Sequence, residues 1–329
     1  MKKKYWIWGL GIGIIVAGIL LGIAALTMLK PTRLTIDVAP IHSVNYNNYI
    51  QDNQLDYKGN LLGWASRSPF GGTKMTLHSS NGDSSVLSGI TAPFQLLENR
   101  IVYVKNGNLL LRNLNGRQSN RIAKNVSSFL ATEEYILYLA ENVLFQYDWN
   151  TDKAVTLGEN VYQFLLHQDA IYAVDFEGNL MRLAADGTWS TLHTMQDVIF
   201  PFCVMSHGNA LVYVRNNEVR YIDLSTGKVD VVCLTEGTYA NNRINFICDD
   251  KQLFVSFQAT KTDGSIVKNI DHADNGLWRI DSETKEKVKL TTEVFDQLYL
   301  FDGRFLFGQM GNTLYQIHID SGDVPQISS

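Results

Sequence analysis

Short apolar segments alternate with polar turns along residues 60–329. Seven such segments, most of them with an aromatic residue, are LLGWAS at 61–66, RIVYVK at 100–105, YILYLA at 135–140, AIYAVD at 170–175, ALVYVR at 210–215, QLFVSF at 252–257 and RFLFGQ at 304–309. Each leads through a polar turn into a second segment of alternating apolar residues, such as EVRYID at 218–223. Alternation with a period of two predicts β-strands, so this region is expected to be all-β.

These strands belong to a repeat. The equivalent positions are Met75, Leu110, Leu144, Leu180, Val219, Leu277 and Leu314, spaced by 34 to 39 residues apart from one step of 58. Each unit holds about four short strands, and a single four-stranded meander cannot bury both of its faces. Units of this period that pack face to face are typical of a β-propeller. Seven copies favour seven blades. Six blades remain the alternative, with 34–95 partly a stalk, because the first copy is weak.

Two regions depart from the repeat. The step of 58 places an insertion at 259–274, ATKTDGSIVKNIDHAD, which is polar and is expected to project as a loop from one face. Long loops on a rigid scaffold often carry function. Residues 30–59 precede the propeller domain at 60–329 and are expected to form a stalk and lead-in strand. Within them, 45–54 is predicted to be a surface loop.

The N-terminal part contains an uncharged apolar run over residues 5–29, YWIWGLGIGIIVAGILLGIAALTML. At about 1.5 Å per residue, a helix of this length exceeds the ~30 Å hydrocarbon core of a bilayer. Aromatic residues near its start suit one interface, and Lys30 and Arg33 close the other end. We expect a transmembrane helix that contacts the lipid bilayer through residues 5–29, with residues 1–4 as a short cytoplasmic N-terminus.

The residues in and around this run indicate whether it is cleaved and how it is oriented in the membrane. Gly22-Ile23-Ala24 resembles a signal-peptide cleavage site, yet the apolar run continues to Leu29, which favours an uncleaved signal anchor. Lys2 to Lys4 and the amino terminus outnumber the two bases that follow the run, so the N-terminus is expected to stay in the cytoplasm. The expected location is the cell membrane, single-pass, with the propeller outside the cytoplasm.

Composition and charge narrow the function classes. Hydrophobic residues make up 45% of the chain and charged residues 19%, which fits a folded domain. Without the five bases of residues 1–33, the remainder carries 23 bases against 33 acids, so nucleic acid is not an expected partner. Three cysteines exclude a disulfide scaffold.

Two turn motifs carry a resemblance to a known family. An aromatic strand is followed by a G-N-x-L turn, as in GNTL at 311–314, and by a turn such as YIDLSTGK at 221–228. In this the chain resembles membrane-anchored bacterial β-propellers of unknown function, the DUF5050-type or LRP1-like β-propellers. The resemblance implies an extracytoplasmic propeller of Firmicutes type and supplies no catalytic residues. Quinoprotein propellers are similar at the second turn, but Val231 or Val232 stands where they have Trp, so no quinone cofactor is expected.

Candidate chemistry is sparse. The insertion and its flank contain Asp263, Asp271, Asp274 and Asn275, an oxygen-rich set that makes weak candidates for a metal such as calcium. Ala273 interrupts the alternation that an EF-hand requires, which favours a solvated loop. No serine-hydrolase elbow, phosphate loop or zinc-protease motif is present, so no catalytic residue is assigned and no cofactor is expected.

Three side chains are candidates for ligand binding: Trp149 and Trp189 at turns, and His272 in the insertion. An exposed Trp stacks on a sugar or anchors a protein partner, whereas packing between blades is the more ordinary role. The leading hypothesis is a non-enzymatic binding or scaffold module for an extracytoplasmic protein or glycan. The alternatives are an envelope hydrolase or lyase with an axial active site, and an assembly chaperone for exported proteins.

Overall fold

Seven four-stranded antiparallel sheets form the blades of a β-propeller. The computed structural model describes residues 45–50, 54–67, 73–79, 83–116, 118–195, 203–215, 218–233, 243–263, 266–281 and 283–328. The prediction of an all-β propeller with seven blades is confirmed, and the six-bladed alternative is wrong. The apolar run at 5–29 lies outside the described residues, and no helix within them is long and apolar enough to span a bilayer.

The first four blades follow one another without interruption. Blade 1 has β1 (Leu55–Lys58), β2 (Leu61–Arg67), β3 (Thr73–Ser79) and β4 (Ser84–Ser88). Blade 2 has β5 (Phe94–Leu96), β6 (Arg100–Lys105), β7 (Asn108–Asn113) and β8 (Ser119–Ala123). Blade 3 has β9 (Val126–Ala131), β10 (Tyr135–Ala140), β11 (Val143–Asp148) and β12 (Lys153–Gly158). Blade 4 has β13 (Val161–His167), β14 (Ala170–Asp175), β15 (Asn179–Leu183) and β16 (Trp189–Thr194).

The last three blades include one interruption. Blade 5 has β17 (Val204–His207), β18 (Ala210–Arg215), β19 (Glu218–Asp223) and β20 (Val229–Cys233). Blade 6 has β21 (Arg243–Cys248), β22 (Gln252–Gln258), β25 (Gly276–Asp281) and β26 (Lys287–Thr291), with the separate hairpin β23 (Thr260–Asp263) and β24 (Ile266–Asn269) inserted after β22. Blade 7 has β27 (Gln297–Phe301), β28 (Phe305–Met310), β29 (Thr313–Ile317) and β30 (Gln326–Ser328).

Burial decreases from the first strand of a blade to the fourth. In blade 3, β9 and β10 are largely buried, whereas β12 has exposed residues over most of its length and Val155 is 57% exposed. The inner strands are sandwiched between neighbouring blades, so both of their faces need apolar side chains. This explains why the aromatic segment of each repeat, which forms the second strand, is almost continuously apolar.

Apolar side chains also close the ring between blades 7 and 1. Tyr57 and Trp64 of blade 1 belong to one buried cluster with Tyr299 and Phe301 of blade 7. The rings of Tyr57 and Phe301 lie 5.9 Å apart between centroids. Among the described strands, none of blade 1 pairs with a strand of blade 7. Aromatic packing therefore takes the place of a shared sheet at this seam.

A short segment before blade 1 fills the centre of the ring. This plug, residues 45–50, contains a single 3-10 turn at Tyr46–Tyr49. It contacts the first strands of blades 3, 4, 6 and 7. Asn47 is 2% exposed and its amide donates to the carbonyl oxygens of Ser206 and Cys248, each at 2.7 Å, while Ser206 N–H donates to Asn47 Oδ1 at 2.9 Å. Asn48 pairs in the same way with Leu300.

The sequence-based prediction of a surface loop over 45–54 was therefore wrong for residues 45–50, and its residues 51–53 lie outside the described residues. Polar side chains in a row suggested a solvated loop, but side-chain amides carry the same donor and acceptor groups as a peptide bond. They satisfy backbone groups that face the axis of the ring, where adjacent first strands do not pair directly. Between neighbouring blades, Gln95 of blade 2 bridges to Ala131 of blade 3, and Gln163 of blade 4 to Val204 of blade 5, by the same paired bonds.

Asp56 fastens the plug to blades 1 and 2. Its carboxylate accepts hydrogen bonds from the hydroxyl of Tyr49 at 2.7 Å, Tyr57 N–H at 2.8 Å and Leu96 N–H at 2.5 Å. The side chain is completely buried, and this desolvation raises the pKa of Asp56 to about 7 in spite of the three donors. One acidic group thus links the plug to two blades.

The insertion forms a β-hairpin rather than a loop. In it Thr260 pairs with Asn269 and Lys261 with Lys268. The β-branched residues Thr260, Thr262, Ile266 and Val267 favour this extended ribbon. Because the hairpin follows the second strand of blade 6, it belongs to the face opposite the turns that join first and second strands.

Candidate functional site

One face of the propeller carries the described cavities. The turns between first and second strands and between third and fourth strands of each blade lie on this face, because every blade is an antiparallel meander. Asn45, the start of the plug, lies at its centre with the turn residues Gln168, Asp250 and Gly303. We call it the entry face. Its geometry gathers polar turn residues from several blades around the axis.

An axial depression opens at the centre of the entry face. Its volume is about 540 Å³, and Asn45 and Tyr46 of the plug form part of its lining. The other walls come from the turns of blades 4, 6 and 7, including the carboxylates of Asp249, Asp250 and Asp302. The depression is therefore lined by three carboxylates and the ammonium of Lys251, and two residues of the plug form part of its surface.

Local turn chemistry fixes two of these carboxylates. Asp249 Oδ1 accepts hydrogen bonds from Lys251 N–H and Gln252 N–H, each at 2.8 Å, which holds the turn between β21 and β22. Asp302 lies 3.2 Å from the guanidinium of Arg304 across its own turn. Asp250 lies between these groups and is exposed at the bottom of the depression. Its carboxylate is the one that these turn bonds leave facing solvent.

Two side clefts extend the depression outward. A cleft of about 270 Å³ between blades 4 and 5 shares His167 and Gln168 with the axial depression. A second cleft, about 240 Å³ between blades 5 and 6, shares Asp250 with the depression and Asn209 with the first cleft. The three cavities are thus contiguous, and together they border the turn between β17 and β18.

Two equivalent histidines line these clefts. His167 ends β13 and His207 ends β17, each two residues before the next strand. Their exposed fractions are 5% and 4%, and the Nε2 atom of each is buried with no hydrogen-bond partner among the described residues. Neither histidine is among the candidate residues of the sequence analysis. The pattern that reveals them is the repeat itself, HQDAIYAV at 167–174 and HGNALVYV at 207–214.

The tautomer of His207 follows from its contact with the backbone. Its Nδ1 lies 2.6 Å from the carbonyl oxygen of Asp249. A carbonyl oxygen only accepts, so Nδ1 carries the proton and Nε2 of the neutral ring presents a lone pair. Burial lowers the pKa of His207, which keeps the ring neutral. His207 is therefore an acceptor at the wall of the cleft between blades 5 and 6.

Lys285 forms the opposite wall of the same cleft. It lies in the turn between the outer strands of blade 6 at φ 62°, and its ammonium stands 3.9 Å from the ring centroid of Tyr221 in blade 5. Burial lowers the pKa of Lys285, against the attraction of Asp230 and Asp281. Asp223 and Asp230 complete the charged lining. One ammonium thus faces several carboxylates across a narrow cleft.

The residues that the sequence proposed as metal ligands have structural contacts. Asn275 clamps the base of the inserted hairpin: its amide donates to Ile270 O, and Ala259 N–H donates to its Oδ1, both at 2.8 Å. Asp274 N–H donates to His272 Nδ1 at 3.2 Å. Asp271 is exposed, and the side chain of Asp263 lies outside the described part. Among the described residues, no three His, Cys, Asp or Glu side chains converge as a metal site.

The two candidate tryptophans lie between blades. Trp149 donates to Thr132 O at 3.1 Å, and the guanidinium of Arg100 in blade 2 stands 5.4 Å from its ring centroid. Trp189 of blade 4 donates to Leu157 O of blade 3 at 2.7 Å and covers Gly158, where an added Cβ would lie 2.8 Å from its Nε1. Both rings are partly buried, and neither lines one of the three cavities.

Solved structures share this fold at low sequence identity. PorZ, a surface component of the type-IX secretion system of Porphyromonas gingivalis, superposes with a TM-score of 0.57 at 10% identity. The match covers 88% of this chain and 39% of PorZ, so the chain spans about two fifths of the PorZ length. A chain of the mitotic checkpoint complex gives 0.54 at 12% identity, covering 88% of this chain and 98% of that one. No family model matches the sequence, and no curated protein does. These likenesses establish a β-propeller fold.

Proposed function

We propose that this chain is a membrane-anchored, extracytoplasmic β-propeller that acts as a non-enzymatic binding or scaffold module for an envelope protein or glycan. The observation that carries this proposal is the contiguous set of polar cavities on the entry face, held by a rigid ring and lined in part by two residues of the plug. Concave sites with a few convergent polar groups are the usual form of ligand sites.

The distribution of acids favours binding over hydrolysis. A hydrolase of the glycosidase type needs a carboxylic acid with a raised pKa within reach of its substrate. Asp56 is a carboxyl whose pKa is raised, but it is completely buried and bonded to Tyr49 of the plug. A substrate in the axial depression does not reach it. The entry-face carboxylates then serve as hydrogen-bond acceptors for a ligand.

The proposed membrane anchor and the proposed location outside the cytoplasm are inferred from the amino-acid sequence. The uncharged run at 5–29 and its basic flanks support a single-pass anchor with the propeller outside the cytoplasm. The turn motifs at 221–228 and 311–314 support assignment to the DUF5050-type propellers. PorZ is described as a surface component of a bacterium, which is compatible with this location for a propeller of similar fold.

Two experiments test the proposal. Protease added to intact cells and to spheroplasts should degrade the propeller without lysis, and protection of the propeller until lysis would contradict an extracytoplasmic location.

The full chain, used as bait against envelope protein and glycan fractions, should retain a saturable partner. The partner should be lost when Asp250 is changed to Arg on the entry face, and kept in the matched exposed variant Glu159→Arg, which lies on the opposite face in the turn between blades 3 and 4. Equal loss in both variants would contradict an entry-face site.

A further inference from the structure

The cleft between blades 5 and 6 has the chemistry of a selective polar site. Its walls are the imidazole of His207, the aromatic ring of Tyr221 under Lys285, and the carboxylates of Asp223 and Asp230. The blade 6 residue Lys285 reaches over to blade 5, so the cleft forms only when the two blades are packed together. It lies beside the axial depression and shares Asp250 with it.

His207 provides an independent indication of a ligand. It is 4% exposed, its Nδ1–H is committed to Asp249 O, and its Nε2 has no partner among the described residues. A buried polar atom without a partner destabilises the folded state, so such atoms are rare in native proteins and call for an explanation. A group that donates a hydrogen bond to Nε2 removes this cost. The ligand must therefore carry a hydrogen-bond donor, such as a hydroxyl group.

The charges of the cleft restrict the ligand further. The carboxylates of Asp223, Asp230 and Asp250 oppose an anionic ligand, and the ammonium of Lys285 requires an acceptor, which an ammonium group on a ligand does not offer. A neutral ligand that both donates and accepts satisfies the carboxylates, the imidazole and the ammonium at once. Hydroxyl groups do this, because each has one donor and two acceptor lone pairs. The pattern fits a polyhydroxylated neutral molecule.

The volume of the cleft, and the lining residues that it shares with the neighbouring cavities, indicate a ligand built of several small linked units. The cleft holds about 240 Å³, below the roughly 300–1,000 Å³ of pockets for drug-sized ligands, so it accommodates a single ring-sized unit. Asp250 lines both this cleft and the axial depression, and Asn209 lines both this cleft and the cleft between blades 4 and 5. A ligand of several linked units can therefore occupy neighbouring cavities on the entry face.

We propose that the cleft between blades 5 and 6 binds one sugar unit of a neutral glycan, with His207 Nε2 accepting from a hydroxyl and Lys285 donating to another. The rest of the glycan extends along the entry face through the axial depression. This inference rests on the proposed binding function and gives it a ligand class and a site.

The test uses the full chain in lauryldimethylamine oxide micelles, a detergent without a sugar headgroup. Calorimetric titration compares neutral tetrasaccharides of N-acetylglucosamine, glucose, mannose and galactose with two charged probes, the glucosamine tetramer and tetragalacturonate. At least one neutral tetramer should bind saturably, about tenfold more tightly than either charged probe. Lys285→Met and His207→Phe should each weaken that binding about tenfold, whereas Lys153→Met in blade 3 should leave it unchanged.

The outcomes separate this inference from the proposed function. Absence of binding by every neutral tetramer, tighter binding of a charged probe, or binding that Lys285→Met and His207→Phe leave intact each overturns the glycan site. If His207→Phe leaves binding intact, the imidazole holds a buried water only. Capture of an envelope protein in the absence of sugar binding overturns the inference and keeps the proposed function. Sugar binding by a chain that is protected from external protease keeps the site and overturns the location.

Discussion

Asn47 in the plug and His207 on the entry face are both buried polar side chains on the inner part of the ring. Asn47 bonds to both Ser206 and Cys248 through its amide, so its donors and its oxygen are all used. His207 makes one bond to a backbone oxygen and leaves Nε2 without a described partner. Polar groups of the plug are thus satisfied within the chain, whereas those of the entry face are satisfied only in part. The difference separates residues that hold the fold from residues that are available to a ligand.

The largest effect is expected from Asn47→Ala. The change leaves the Ser206 N–H without the acceptor Oδ1 of Asn47, and a buried group that loses its partner costs about 1–3 kcal/mol. It also removes the shortest hydrogen bond to the carbonyl oxygens of Ser206 and Cys248, which then accept only from Cys248 Sγ at 3.2 Å and Asn45 Nδ2 at 2.9 Å. The free energy of unfolding should fall by about 3 kcal/mol or more, measured by urea denaturation of the full chain in micelles. Asn60→Ala, in an exposed turn of blade 1, should change it by less than about 0.5 kcal/mol. Similar losses in the two variants would show that the plug does not stabilise the ring.

The second-largest expected effect is a dependence of the free energy of unfolding on pH. The pKa of Asp56 is about 7 in the folded chain, and that of an unfolded Asp is about 3.9. Between these values the folded chain holds more protons than the unfolded chain, so its free energy of unfolding falls as the pH rises. The contribution of Asp56 to this fall is about 1.4 kcal/mol per pH unit.

Asp56→Asn removes this titration. Unfolding measured from pH 4.5 to 7.5 should lose that part of the slope in Asp56→Asn and keep it in the exposed variant Asp320→Asn. Parallel slopes for the wild type and Asp56→Asn would contradict a buried, titrating carboxyl between the plug and blades 1 and 2. The difference between the two curves isolates the contribution of Asp56 from that of every other titrating group.

The same contrast explains what the sequence could predict. Aromatic strands such as YILYLA at 135–140 bury both faces between blades, so local periodicity and the 34 to 39 residue spacing sufficed for strands, repeat and blade number. Asn47 pairs with backbone 159 and 201 residues away, and local polarity resembled that of a loop. His207 meets Lys285 of the next blade only through inter-blade packing. Long-range polar pairing leaves no local pattern, which is why the plug and the cleft were missed.

A matched pair of tyrosines gives the smallest and sharpest test. Tyr49 in the plug donates to Asp56 at 2.7 Å, whereas the hydroxyl of Tyr221 beside the cleft is buried without a hydrogen-bond partner among the described residues. Both side chains are at most 9% exposed, so replacing either Tyr by Phe removes one buried oxygen. At a pH above 7, where Asp56 is ionised, Tyr49→Phe should lower the free energy of unfolding by about 1.5–3 kcal/mol, since it removes a bond to a charged group.

Tyr221→Phe should leave the free energy of unfolding unchanged or raise it by up to about 1 kcal/mol, because the hydroxyl gives up its contacts with water on folding and gains no bond in return. Urea denaturation of the two variants at the same pH makes the comparison direct. A loss in Tyr221→Phe as large as that in Tyr49→Phe would mean that the Tyr221 hydroxyl is satisfied within the folded protein. The polar groups around the cleft would then be structural, as those of the plug are, and the contrast between the two regions would disappear.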